Sequence, residues 1–404
     1  MLSQFLFFIL FPIILLIVIL VFFFFYPETF DEMYFGKREI GLLIVGSAST
    51  MFLDLPVFIY KDYFLALNIG GALIPIILSF YFFVKKAIGF PKFAGGVLLV
   101  AVATYMVTRV TETGVVSYFP FYLLPSILAI LLAFLLYTRE KTTPVYAYAI
   151  STIGVILGGD LSHLPELFEQ PFAGSFGGAG VYDMVYLAGL ISFCISFPFI
   201  KKKKRKGKIE RMVEKVEKEA ICVGKIAGIE GNISFILEKV LGRREDFELL
   251  RNEHSVRKAR KIMNKLIKEM HEKIRENYAP PEERLVSYLI DFMIISGFSL
   301  ALSLLYKSIF LPFLMFFLLF QIIYFIPLEF FFGTTVGKAL MDMEVRDMSA
   351  EKADFLSIFT RNIIRYLEFF AGFYAVSLVL ISLSPKRQRI GDAIADSIVI
   401  KVRE

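Results

Sequence analysis

Apolar runs of about 20 residues recur through the first half of the chain, at roughly 2–26, 40–60, 63–84, 93–110, 115–137, 144–162 and 179–200, and each is long enough for a helix to cross a bilayer. From 201 to 283 the pattern changes to polar helices with one apolar face. Ile209, Met212, Val213, Val216, Ala220 and Val223 share a face over the first of these, and Val256, Ala259, Ile262, Met263, Leu266, Ile267, Met270 and Ile274 recur at helical spacing over another. Pro280 and Pro281 close this insert. Apolar runs resume at about 285–306 and 308–332, followed by a polar loop over 333–354 and a last apolar segment over 356–384. In that last segment Arg361, Arg365 and Glu368 fall at helical spacing on one face, which predicts an amphipathic helix and then a return to the side it came from. Two β-branched stretches, Met341–Val345 and Ser397–Val402, predict a small hairpin-like strand pair near the carboxyl terminus. The pattern therefore predicts an all-α polytopic membrane protein of about ten transmembrane helices: a seven-span module (1–200), a basic helical domain or linker (201–283) and a second membrane module (284–404).

Composition agrees, with 57% hydrophobic and 16% aromatic residues, far too apolar for a soluble protein. The net charge of +6 does not imply nucleic acid, because the cations cluster beside apolar runs. Lys37/Arg38, Lys85/Lys86/Lys92, Arg139/Lys141 and Lys201–Lys204 fall on alternate loops, which predicts a multi-pass cell-membrane protein with its amino terminus outside and residues 201–283 cytoplasmic. The run Lys201–Lys206 reads as a stop-transfer anchor reaching anionic headgroups, so the lipid bilayer is the first expected partner. Residues 1–26 have neither a basic leader nor a small-residue cleavage site and are expected to remain as a membrane anchor. Cys194 and Cys222 read as unpaired thiols, and His163, with no second histidine near it, as a surface-loop residue. Neither a metal nor a cofactor is expected.

Polar residues inside apolar runs carry the functional question. Asp54, Asn68, Arg109, Asp160 and Asp183, counted along helices from the span ends, fall at one depth in the outer third of a membrane. Around them lie helix-breaking sequences, Asp54-Leu-Pro56, Asn68-Ile-Gly-Gly71, Gly158-Gly-Asp160 and Gly177-Gly-Ala-Gly180. Broken helices of this kind build ion or solute sites, and they also permit close glycine packing. The pair Asp160 and Asp183 invites comparison with intramembrane aspartyl proteases, yet the order of the two motifs is inverted and Leu157 stands where such enzymes need glycine. These motifs resemble those of a multi-spanning family of archaea and bacteria catalogued only as a domain of unknown function, over roughly residues 40–200, and that resemblance implies no activity.

Further along, Arg284 heads an apolar run that contains Asp291 seven residues later, about 10 Å along a helix and too far for a direct ion pair. Arg284 is expected to reach lipid phosphate; Asp291, inside the bilayer, needs a partner or a proton. With the loop Gly333-Thr-Thr335-Val-Gly337-Lys338 and the closing segment Lys386–Ile400, these residues resemble the RDD family, with Arg284, Asp291 and Asp392 as its signature, Gly337 and Lys338 in the accompanying loop, and Arg365 nearby. Thr335 replaces that loop's usual proline, and Gly391 stands where a histidine commonly precedes the last aspartate. The resemblance implies transport of a cation or small solute, of the sodium/proton antiport kind, with monovalent cations or protons as partners. The alternatives are a non-catalytic membrane binding or scaffold protein, with an oligomer or a partner membrane protein, and, further off, an intramembrane aspartyl protease. An enzyme is not the leading expectation. The loop from Gly333 to Leu340 lacks the spacing of a phosphate loop, and nucleotide binding is rejected.

Overall fold

The computed structural model describes residues 2–111, 114–118, 120–138, 140–201, 207–242, 245–305, 309–370 and 374–402. It forms two compact units, residues 1–205 and 206–404. Helices dominate both, and the few strands are short. Four helices are long and apolar enough to cross a membrane, within Phe90–Val107, Thr142–Leu167, Pro281–Ser303 and Pro312–Phe332, and four shorter apolar helices accompany them among the described residues. The protein is an all-α membrane protein.

In the first unit, helix α1 (Leu2–Phe25) is followed by a helix that runs from Lys37 through a π-helical turn, Leu42–Gly46, to Thr50. The apolar run predicted to cross the membrane at 40–60 then stops being helical. Residues 54–68 form an antiparallel hairpin of β1 (Asp54–Tyr60) and β2 (Tyr63–Asn68), with a second π-turn, Ile69–Leu73, leading into α2 (Ile74–Lys85). Similarly α3 (Phe90–Val107) gives way to the pair β3 (Thr108–Thr111) and β4 (Gly114–Ser117) before α4 (Leu124–Leu136). The cause is local: β1 is Asp-Leu-Pro-Val-Phe-Ile-Tyr, whose proline has no N–H to give a helix and whose β-branched and aromatic residues suit a strand. Average hydropathy registers that stretch as apolar and is blind to its backbone.

Helix α5 (Thr142–Val155) is the centre of this unit, packed by α2, α3, α4 and α6 (Met184–Ser196). It is buried on nearly every face, Tyr146 and Tyr148 included, as expected of a helix without a polar side. The Tyr146 hydroxyl donates to the Lys92 carbonyl (2.7 Å), satisfying its polar tip. Before α6, strand β5 (Ala173–Phe176) joins β2 in parallel, giving the order β1-β2-β5.

The second unit begins with α7 (Lys208–Ala227), α8 (Ile233–Leu241), α9 (Glu245–Asn252) and α10 (Val256–Lys273). The apolar faces of α7 and α10 meet as their periodicity predicts, burying Val216, Ala220, Val223, Leu266 and Met270. Asn232 caps α8 through the Phe235 N–H (2.9 Å). The same core takes in Tyr278 and Ile398, so the polar insert is built onto the end of the chain. Then follow α11 (Pro281–Ser303), α12 (Phe310–Phe332), the short α13 (Val336–Ala339), β6 (Met343–Asp347), α14 (Phe355–Phe370), α15 (Tyr374–Leu383), α16 (Ile390–Ile394) and β7 (Ser397–Lys401). Strands β6 and β7 pair antiparallel with Val345 opposite Val399, the pairing predicted near the carboxyl terminus. The last apolar segment is two helices, α14 and α15, and the residues between them, 371–373, lie outside the described residues, as do Arg139, the basic run 202–206 and Arg403.

Candidate functional site

The five polar residues of the first unit fall into three groups, Asp54 with Asn68, Asp160 with Asp183, and Arg109 by itself. Asp54 and Asn68 sit opposite each other in the β1–β2 register. The Asn68 amide donates to Asp54 Oδ1 (3.0 Å) and to the Met51 carbonyl (2.9 Å), Ser175 Oγ donates to Asp54 Oδ1 (2.6 Å), and the Gly71 N–H donates to Asn68 Oδ1 (2.7 Å). This pair therefore caps the π-turn and ties it to the sheet. A Cβ on Gly71 would lie 2.1 Å from the Gly177 carbonyl, so glycine is what allows this approach. Arg109 is exposed in β3, opposite Val116. Helical counting does not apply to Asp54 and Arg109, because the residues beyond Leu53 and Val107 are strands, which climb about twice as fast per residue as a helix.

Asp160 and Asp183, by contrast, come together. Asp160 lies in a third π-turn, Ile156–Leu161, at the end of α5, and Asp183 is the N-cap of α6, accepting from the N–H groups of Val185 (2.9 Å) and Ala179 (3.4 Å). Both line a cavity of about 420 Å³, with Thr108, Ser117, Tyr122 and Tyr182. Asp160 Oδ2 is shielded from solvent and has no hydrogen-bond partner among the described residues. His163, expected on a surface loop, is instead buried, 3.0 Å from Thr108 Oγ1 and stacked on Tyr105. Its position one turn beyond Asp160, in a sequence of apolar neighbours, was the available signal.

In the second unit a cluster of buried charges joins α11, α12, α13, α14 and α16. Asp392 accepts from Arg284 Nη2 (2.6 Å), and lies 3.0 Å from both Arg361 Nη2 and Arg389 Nε. Burial alone would raise its pKa, but the three guanidiniums outweigh burial and hold it well below the usual carboxylate range. Arg284 is thus not a lipid-phosphate anchor: it is 8% exposed, with its other Nη donating to the Arg387 carbonyl (2.8 Å). Glu368 accepts from Arg389 (3.4 Å) and from the Gly391 N–H (3.1 Å). Arg361, Arg365 and Glu368 do share a face of α14, and that face points inward, the reverse of a helix lying polar-side out on a membrane.

Asp291 takes no part in the Asp392 group. Its oxygens accept from the Tyr324 hydroxyl (2.6 Å), Thr335 Oγ1 (2.6 Å) and the Gly337 N–H (2.8 Å). Thr335 caps α13 and donates a hydrogen bond from its hydroxyl to this carboxylate. A Cβ on Gly337 would lie 2.1 Å from the Ser287 carbonyl, so the loop can approach α11 only with glycine there. Lys338 binds Glu329 (2.7 Å), which also accepts from Asn362 (2.8 Å) and lies 3.5 Å from Arg361 and from Arg365. Sequence reasoning missed Glu329. A lone glutamate within the apolar helix Phe310–Phe332 was the signal, masked by its place near the end of the run, where a charged residue ordinarily meets water.

Residues 278–396 match the RDD family, and residues 37–195 match a family described as a protein of unknown function, DUF1614. No curated protein and no solved structure matches the chain.

Proposed function

We propose that the first unit binds a monovalent cation or proton at Asp160 and Asp183 and moves it across the membrane, and that the RDD segment holds its helices together by buried ion pairs. The observation that carries this reading is Asp160 Oδ2, shielded and without a partner among the described residues, in a cavity it shares with Asp183. A carboxylate so placed can exchange a proton for a cation, whereas the carboxylates at Asp291 and Asp392 are fully engaged by protein donors. The protein would lie in the cell membrane with its amino terminus outside and its polar insert in the cytoplasm.

Purified protein in liposomes carrying a pH-sensitive dye tests this directly. A sodium or potassium gradient should drive proton movement in the wild type, and D160N should abolish it while leaving the protein folded. Equal flux from D160N and wild type, or none from either, would sink the transport reading and leave a scaffold. A second reading, proteolysis, is favoured by the two aspartates sharing one cavity, but Asp183 is committed to two backbone N–H groups as a helix cap, which competes with the shared proton of a catalytic dyad. Cleavage of a membrane-spanning peptide that both D160N and D183N abolish would establish it.

A further inference from the structure

The buried cluster of the second unit is not charge-balanced. Among the described residues Arg284, Lys338, Arg361, Arg365 and Arg389 are buried cations, facing the buried carboxylates Asp291, Glu329, Glu368 and Asp392, so one positive charge is left over. An uncompensated charge in such surroundings is strongly unfavourable, as the breaking of a buried ion pair is. Donors are left over as well. Arg361 Nη1 and Arg365 Nε and Nη1 are buried and make no hydrogen bond with the described residues. Arg365 Cζ sits over the Phe325 ring, 3.5 Å from its centre, a contact that uses none of its N–H donors.

These two guanidiniums line a cavity of about 30 Å³, together with Tyr288, Phe325 and Lys338. That is room for a species about the size of a water molecule, and not for a lipid headgroup. Asp291 also borders it, but both its oxygens are already occupied by donors, so its charge is turned into the α13 loop. We propose that this cavity is a binding site for a small monovalent anion of halide size, held between Arg361 and Arg365. The anion removes the excess charge and supplies an acceptor to the leftover N–H groups, which water would satisfy only in the second respect. The raised cost of positive charge here also shows at Lys338, whose ammonium burial pulls down to about 8 despite its bond to Glu329.

The test uses the full-length protein in detergent, with chloride as the probe and gluconate as the counter-ion too large to enter. In the wild type, chloride should raise the unfolding temperature saturably, as a ligand of the folded state must, and should broaden the chloride-35 NMR line in a way that bromide reverses. R365Q should lose the saturable shift, while R109Q, an exposed arginine of the first unit, should keep it. If R365Q does not fold, the wild-type line width decides alone. A wild type indifferent to chloride, with a line no broader than that of empty micelles, shows that the cavity holds water and overturns the proposal. So does a folded R365Q that keeps the full shift, or chloride broadening that anionic lipid displaces and bromide does not. Failure of the cation-flux experiment has no bearing on this outcome, because the two concern different units of the chain.

Discussion

Arg284 Nη2 lies 2.6 Å from Asp392 Oδ2, with both side chains buried and the two residues 108 positions apart in the chain. This contact ties the first helix of the RDD segment to its last. Asp392 also draws in Arg361 and Arg389, so one carboxylate fastens three helices. In a low-dielectric interior such a pair adds little over an apolar replacement of both partners, yet removing one partner leaves the other charge stranded.

Accordingly, D392N should destabilise the protein by about 3–5 kcal/mol, the cost of orphaning buried charge. The expected result is a large loss of unfolding temperature in detergent. Asp392 keeps its stabilising effect at neutral pH and loses it on acidification below the ordinary carboxylate value, because its folded form resists protonation. A D392N protein as stable as the wild type would contradict the ion-pair account.

Asp291 should behave differently, as a holder of the 333–342 loop. D291A leaves Thr335 Oγ1 and the Gly337 N–H without their acceptor, at about 1–3 kcal/mol for each stranded donor. Limited proteolysis should then cut near Gly337 first, with D291N intermediate because it keeps one acceptor oxygen.

G337A is predicted to be at least as damaging as an over-packed core, about 1–3 kcal/mol, because the new methyl would meet the Ser287 carbonyl at 2.1 Å. Backbone cannot move aside as a flexible side chain would. G297A, in the same helix as Ser287 and with open space around it, is the matched control and should be neutral or slightly stabilising.

Acid should weaken the polar insert through Glu219. This carboxylate accepts from His271 Nε2 (2.9 Å) and Lys386 Nζ (2.6 Å), and the Tyr278 hydroxyl lies 2.7 Å from His271 Nδ1. Burial raises the Glu219 value, but the hydrogen bond from His271 and the charge of Lys386 pull it down to about 2. A carboxyl lowered on folding stabilises above its unfolded value and loses that contribution as pH falls towards 2, here of order 3 kcal/mol. Burial lowers His271 too, so its protonation below the usual histidine range acts in the same direction. Unfolding temperature measured from pH 6 to 2 should fall in the wild type and fall less steeply in E219Q, which starts lower.

Apolar run length and helical periodicity were sufficient for the membrane class, the polar insert with its meeting faces on α7 and α10, and the β6–β7 pair, because each depends on residues near one another in sequence. The RDD signature was legible for the same reason: Arg284 and Asp291 are conspicuous where hydrocarbon is expected. Tertiary structure alone decided which charge meets which. Seven residues of helix separate Arg284 from Asp291, and only the folding of α14 and α16 beside α11 brings Asp392, Arg361 and Arg389 to Arg284, while the α13 loop takes Asp291. It also decided that Asp160 and Asp183 share a cavity and that Asp54 and Asn68 bind each other across a hairpin. A hydropathy value belongs to a residue type and does not change with whether that residue sits in a strand, a helix or a buried ion pair. Partners are chosen by direction and distance, which the chain acquires only when it folds.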